Sequence, residues 1–296
     1  MHIRLSENFR AVFYASFYAT LELDHYRQEG LDVRFITSPT PGAAAAGLLD
    51  GSIDVTWGGP MRVMKARDEP AGPPLVCFCE VVRKDPFYLV GKRGPAELKL
   101  KDLVGLKFAS VSEVPTPWLC LQHDLREQGI DPSHIDRIAD RSMPQNLKAL
   151  CRGEIDVAQM FEPYSSMAVR QGFGEILHAA SGRGLTSYTT LLATRAGVDR
   201  LRAEFASMSR AIGRTQSWLA DHSVAELAAV VAPYFADVVR DDLVSAFRKY
   251  KDAGLWSHDT TVTREGFQRL AVSLRSGGFI SLMPDYDDCV ADILPT

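Results

Sequence analysis

Two segments of the chain carry the same pattern: GSIDVTWGGP at residues 51–60 and GEIDVAQMFEP at residues 153–163. Each reads Gly, one polar residue, Ile-Asp-Val, a short stretch, and then a Pro that opens an apolar helical pattern. A Gly behind an apolar helical run ends the helix, because it enters left-handed backbone without the cost of a Cβ. The Ile and Val then enter a buried strand, and the Asp between them is placed to bond a neighbouring backbone group. A lone helix–Gly–strand unit is common in α/β chains. Four identical residues and a later Pro in matching context favour duplication. The chain should therefore fold as two α/β halves. In each, the turn after the strand lies at the carboxyl edge of a sheet, where ligands bind in open α/β folds. Two such edges facing each other make a cleft.

The rest of the chain fits that frame. Strand signals at 2–5, 32–36, 53–57 and 74–82 alternate with helical signals at 12–28, 43–50 and 61–69. The order repeats with strands at 106–111, 135–140 and 155–161, helices between them, and a returning strand at 185–194. Such alternation predicts βαβ units and parallel pairing. Beyond residue 198 strand signals vanish, and four helices are expected at 200–222, 224–235, 240–253 and 263–276.

With 296 residues, one large or two medium domains are expected. A net charge of −4 and the lack of any Lys/Arg block speak against nucleic-acid binding. No apolar run approaches transmembrane length. Residues 11–21 imitate a signal peptide behind Arg4 and Arg10, but Glu7 and Asn8 interrupt the pattern and no small-x-small site follows, so Met1 reads as the start of folded protein. On that reading either the gene has no leader or the leader has been removed: a periplasmic location follows in the second case, a cytoplasmic one if Met1 is the native start. Cys77 and Cys79 alternate in LVCFCEVV and should be buried thiols on one sheet face rather than metal ligands, since no Cys or His partners stand at zinc spacing.

The start of the chain with EGLDVRFI, the LLDGSIDVTWGGP, DLVGLKFASVSEVPT and LCRGEIDVAQMFEPY segments, and the helical tail resemble the type II periplasmic-binding-protein fold. More narrowly, they are similar to the solute-binding proteins of nitrate, sulfonate, taurine and thiamine-precursor (pyrimidine) ABC transporters. The resemblance implies an α/β fold of two lobes, each a parallel-rich sheet flanked by helices, with a helical C-terminal region. It places residues 1–90 and 186–296 in a discontinuous first lobe and 91–185 in an inserted second lobe, with crossings near 83–94 and 181–190. It also implies a small-molecule ligand, an ABC permease as partner, a monomer, and no cofactor or metal. Enzymes on the same scaffold supply the alternative: a cytosolic decarboxylase or lyase acting on an aromatic or heteroaromatic acid. The fungal pyrimidine-forming enzyme uses a Cys-rich segment and a nearby His, and related desulfinases use an early Cys. Here TSYTTLLAT and Arg62 stand at the first pair of places, and residues 6–20 hold no Cys. No residue is assigned a catalytic role, although Glu113 and Glu162 could form an acid/base pair across a cleft.

Candidate ligand-binding residues follow from the strand ends. In the loop after the first strand, Asn8 offers donors and an acceptor, Arg10 a planar fork for a carboxylate or sulfonate, and Phe9 an apolar face. Ser38 and Thr40 enter a helix, where free N–H groups favour an anion. Trp57 can stack on a planar ligand or fill the sheet top; Gly58 and Gly59 permit close backbone approach, and Arg62 can reach back as a counter-charge. From the second half come Ser112, Glu113, Thr116 and Trp118, then Phe161 and Glu162 at the second copy of the repeat, and Tyr188 on the returning strand. So many aromatics with few polar groups suit a small planar organic anion better than bare nitrate.

Overall fold

A computed structural model describes residues 2–37, 42–92 and 98–293. Ten strands form two five-stranded sheets. The first holds β1 (His2–Ser6), β2 (Asp32–Ile36), β3 (Val55–Gly58), β4 (Leu75–Val82) and β10 (Thr189–Thr194), in the order β2-β1-β3-β10-β4. The second holds β5 (Tyr88–Gly91), β6 (Lys107–Ala109), β7 (Asp136–Ile138), β8 (Val157–Met160) and β9 (Glu175–Ala179), in the order β7-β6-β8-β5-β9. The pairings β1–β2, β1–β3, β6–β7 and β6–β8 are parallel, as βαβ units require. The strands that return from one sheet to the other, β10 and β5, run antiparallel to their neighbours, so both sheets are mixed.

Helices cover the sheets. In chain order they are α1 (Ala15–Glu22), α2 (His25–Gln28), α3 (Ala43–Asp50), α4 (Met61–Asp68), α5 (Thr116–Glu127), α6 (Met143–Arg152), α7 (Tyr164–Arg170), α8 (Arg195–Arg200), α9 (Arg202–Asp221), α10 (Val224–Val230), α11 (Arg240–Asp252), α12 (Arg264–Ser276) and α13 (Tyr286–Cys289). The single helix expected over 12–28 is instead a 3₁₀ turn followed by α1 and α2, broken where Asp24 takes a left-handed backbone at φ 55°. Strands β5 and β9 carried no recognised signal. Both are short, and β9 follows directly on a helix and a glycine turn. In the C-terminal part, α12 packs on both α4 and α5, and α11 packs on α7, so the tail touches elements around both sheets.

The two copies of the repeat are built alike. Gly51 caps α3 at φ 77° and Gly153 caps α6 at φ 70°, and the strand follows within four residues in each case. Asp54 accepts from the backbone N–H of Arg4 at 3.0 Å and returns its own N–H to the Arg4 carbonyl at 3.0 Å. Asp156 does the same with Lys107, at 2.8 and 2.9 Å. Each Asp thus zips the foot of its strand to the neighbouring parallel strand. Asp54 carries more: both guanidinium arms of Arg4 reach it at 2.8 Å, and Arg200 at 3.2 Å.

Cys77 and Cys79 are both buried free thiols, but they do not share a face. Leu191 pairs with Phe78 and Thr190 with Glu80, so Cys79 is the extra residue of a β-bulge, with φ at 54°. The bulge reverses the alternation. Cys77 packs under α12 and α13, while Cys79 packs beside Phe78 in the main core.

Candidate functional site

Chain segments 83–87 and 180–188 connect the two sheets. They lie side by side: Thr186 N–H donates to the Arg83 carbonyl at 2.8 Å and Tyr188 N–H to the Val82 carbonyl at 2.9 Å. Arg183 lies buried between Asp85, at 2.8 Å, and Asp124 of α5, at 2.8 Å from Nε to Oδ1. A planar guanidinium between two carboxylates fixes both crossings to the second sheet's first helix. Glu80, just before the first crossing, is buried and accepts from the hydroxyls of Ser187 and Ser257. Burial pushes its carboxyl up to about 7, against the pull of those two hydrogen bonds.

A cavity of about 260 Å³ opens between the sheet edges in front of these crossings. The first sheet supplies Asn8 from the loop after β1, and Gly59, Met61 and Arg62 from the turn after β3 and the start of α4. The second half supplies Val114, Pro115 and Thr116 at the start of α5. Phe87 and Tyr188 come from the crossings, Phe9, Phe13 and Tyr14 from the segment after β1, and Phe279 from the chain after α12.

The polar groups of this cavity are the Arg62 guanidinium, the Asn8 amide and the hydroxyls of Tyr14, Thr116 and Tyr188. Arg62 Nη2 donates to Asn8 Oδ1 at 3.3 Å. Burial lowers the Arg62 guanidinium from its ordinary value, yet an arginine so shifted still carries its charge near neutral pH. Burial drives the Tyr14 phenol far up, despite Asn8, Arg62 and Thr189 beside it, so it stays protonated and able to donate. Tyr188 is 7% exposed, and its hydroxyl has no hydrogen-bond partner among the described residues. No carboxylate lies among the described lining residues. Phe9, Phe13, Phe87, Phe279, Met61 and Val114 supply the apolar remainder. Gly59 is needed for space: a Cβ there would sit 3.3 Å from the Tyr188 carbonyl oxygen and 3.3 Å from Met61 Cγ.

A second cavity of about 320 Å³ shares Phe9 with the first. It runs between residues 10–12 and 234–238 on one side and Glu113, Met143, Phe161, Pro163 and Tyr164 on the other. Phe9 and Phe161 face each other with centroids 6.3 Å apart, and Phe13 and Phe87 close edge-on around Phe161 at 5.2 and 5.3 Å.

The residues expected from the sequence divide accordingly. Asn8, Phe9, Gly59, Arg62, Thr116 and Tyr188 line the first cavity; Phe9, Arg10, Glu113 and Phe161 line the second. Trp57, Gly58, Ser112, Trp118 and Glu162 line neither. Trp57 is fully buried, stacked between Phe17 at 4.5 Å and Phe35 at 5.8 Å, because its strand face points toward α1 rather than out of the sheet edge. Gly58 is still within β3, paired with Thr190. Trp118 packs on Phe108 under the Arg137 guanidinium. Ser112 is exposed, its N–H given to the Arg141 carbonyl. Glu162 is fully buried: Lys249 reaches Oε1 at 2.9 Å, and the N–H of Ser166 reaches Oε2 at 3.0 Å. Arg10 is committed as well, bonded to Glu7 at 3.1 Å and lying over the rings of Tyr18 and Tyr234. Glu113 Oε1 accepts from Met143 N–H at the start of α6. Ser38 and Thr40 lie outside the described residues. Phe87, Val114, Pro115 and Phe279 had no signal of their own, and Phe279 reaches the site from more than two hundred residues beyond Asn8.

Two α/β lobes joined by paired crossings, with a cavity between their sheet edges, define a two-lobed α/β fold of the periplasmic-binding-protein type. A family model described as "NMT1/THI5 like" matches residues 13–222, and the chain belongs to that family. It is 23% identical over 291 residues to the Bacillus subtilis (strain 168) protein named "Putative binding protein YtlA", covering 97% of this chain and 87% of that one. Among solved structures, it superposes on the periplasmic aliphatic sulphonate binding protein SsuA of Escherichia coli with a TM-score of 0.74 at 18% identity, covering 100% of this chain and 93% of that chain. The alkanesulfonate-binding protein SsuA of Xanthomonas axonopodis pv. citri, bound to MOPS, gives 0.72 at 15% identity over 96% and 94%. The periplasmic nitrate-binding protein NrtA of Synechocystis PCC 6803 gives 0.68 at 13% over 97% and 83%.

Proposed function

We propose that this chain is a solute-binding protein that captures a small, planar organic anion between its lobes and presents it to an ABC importer. The observation that carries the proposal is the composition of the first cavity: Arg62 brings positive charge, Asn8, Tyr14 and Tyr188 bring hydrogen-bond donors, and the described lining residues include no carboxylate. A carboxylate or sulfonate head meets that set in a mostly apolar pocket, where charge-assisted bonds are strong. The aromatic walls add the surface that an organic body needs and that an inorganic oxyanion would leave unused. Fold neighbours named as sulfonate- and nitrate-binding support an anion, and the protein named as a binding protein supports capture rather than turnover. The periplasmic setting of those neighbours extends to this chain as part of the same proposal. The two crossings serve as the hinge about which the lobes close on the ligand. A thermal-shift screen of aromatic and aliphatic sulfonates, aromatic carboxylates, pyrimidines and nitrate tests it. A ligand at ~100 times its dissociation constant adds ~2.7 kcal/mol to stability. Stabilisation by organic anions and not by neutral analogues is expected; stabilisation by neutral pyrimidines alone would overturn the anion assignment.

A further inference from the structure

We infer that the ligand is bipolar: an anionic head in the first cavity, an apolar middle passing Phe9, and a cationic or N–H-bearing tail in the second cavity at Glu113. The inference rests on the proposed function above and extends it past the wall that separates the two cavities.

The wall is thin. Phe9 belongs to both linings, and on the opposite side the consecutive residues Glu113 and Val114 face one cavity each. Phe9 is only half-buried and holds its place through ring contacts, with Tyr14 at 5.3 Å and Phe161 at 6.3 Å. A rotamer change of one phenylalanine therefore joins the cavities, and a flat apolar segment could take its place between the same rings.

The two ends have opposite character. In the first, Arg62 is the charged group among the described lining residues. In the second, Arg10 is already bonded to Glu7, while Glu113 and Asp237 add two carboxylates. Of the Glu113 oxygens, Oε1 accepts from Met143 N–H, but Oε2 is buried and has no hydrogen-bond partner among the described residues. Leaving a buried acceptor unmatched is costly, so the site is arranged for a donor. Tyr164, on the same cavity wall, senses this charge: burial first, and then Glu113, raises its phenol. An ammonium or ring N–H delivered past Phe9 supplies the missing donor.

Two probes of equal length separate the alternatives: 4-propylbenzenesulfonate and 4-(2-aminoethyl)benzenesulfonate, titrated calorimetrically into the wild-type chain and Glu113→Gln. Glutamine keeps the acceptor for Met143 and the side-chain volume, so folding is preserved. The wild type should prefer the amine by roughly tenfold or more, the span of one charge-assisted hydrogen bond. In Glu113→Gln that ratio should fall to near one. Binding of both probes with no preference for the amine, or a preference that survives in Glu113→Gln, would overturn the bipolar ligand while leaving the anion site standing. Binding of neither probe would overturn both.

Discussion

The two copies of the Gly-x-Ile-Asp-Val unit begin alike and end differently. Each starts from a left-handed Gly cap and an Asp that zips two parallel strands. The first runs out into Gly59-Pro60 and leaves open space before α4, bordered by Arg62. The second runs out into Phe161-Glu162-Pro163, where Phe161 and Pro163 border the second cavity and Glu162 turns inward. Phe161 closes into an aromatic cluster, and Glu162 is tied to Lys249 of α11, with its N–H on the Tyr250 hydroxyl, which in turn donates to the Pro86 carbonyl in the first crossing. One end of the duplicated scaffold borders the first cavity with no carboxylate among its described lining residues. The other borders the second cavity and, through Glu162, is tied to α11 and the first crossing.

This contrast fails first if substitutions at the two ends have the same effect. Glu162→Ala strips a fully buried carboxylate from Lys249 and from the N–H of Ser166. Breaking a buried pair costs about 3–5 kcal/mol; because Lys249 is 30% exposed, the expected loss is ~3 kcal/mol by urea unfolding. Gly59→Val should do the opposite, abolishing binding of an organic anion while lowering stability by less, since its side chain meets Tyr188 and Met61 at the cavity wall. Equal stability losses in the two variants would erase the distinction.

A titratable group beside the two crossings sharpens the comparison by about 2 kcal/mol. Glu80 holds its proton up to about pH 7 in the folded chain, against about 4.3 when unfolded. Between those values the native state binds more protons, so stability falls as pH rises from 5 to 7. Glu80→Gln should remove that decline, and unfolding curves at several pH values in this range would show a persistent slope if Glu80 were not its source.

The smallest effects compare the paired aspartates. Asp54→Asn loses charge-assisted bonds to Arg4 and Arg200 and should cost ~2 kcal/mol, whereas Asp156→Asn, which keeps an amide oxygen for Lys107 N–H and loses only the charge on that bond, should cost ~1 kcal/mol or less. Burial opposes ionisation of Asp54, but Arg4 and Arg200 hold its carboxyl below the usual range. Its contribution is therefore present above pH ~4 and lost as pH falls further. Asp54→Asn should weaken that acid-side decline, and acid unfolding of the two variants in parallel reads the difference.

The fold was legible because it is written locally. Gly51 and Gly153, the Ile-Asp-Val strands and the Pro-opened helices each declare themselves within a few residues, and their recurrence fixes the pairing. The first cavity was half legible for the same reason: Asn8, Gly59, Arg62 and Thr116 sit where strands end and helices begin. Trp57 misled because a large aromatic at a strand end can face either way. Here the flat surfaces of Phe17 and Phe35 enclose it. Glu162 misled because its partner, Lys249, lies far along the chain, and Phe279 stayed hidden for the same reason. The alternation in LVCFCEVV gave no sign of the bulge at Cys79, whose cause lies in the pairing with β10. Long-range packing decides which strand-end residues face a ligand and which face the core.

The central claim is that Arg62 heads an anion site between the lobes. Calorimetric titration of 4-ethylbenzenesulfonate into the wild-type chain and Arg62→Met tests it most directly. Loss of a charge-assisted bond of about 1.5–3 kcal/mol should weaken binding roughly tenfold to a hundredfold in Arg62→Met, with the unfolding midpoint nearly unchanged. Equal affinity in the two proteins would place the anion elsewhere and contradict the claim.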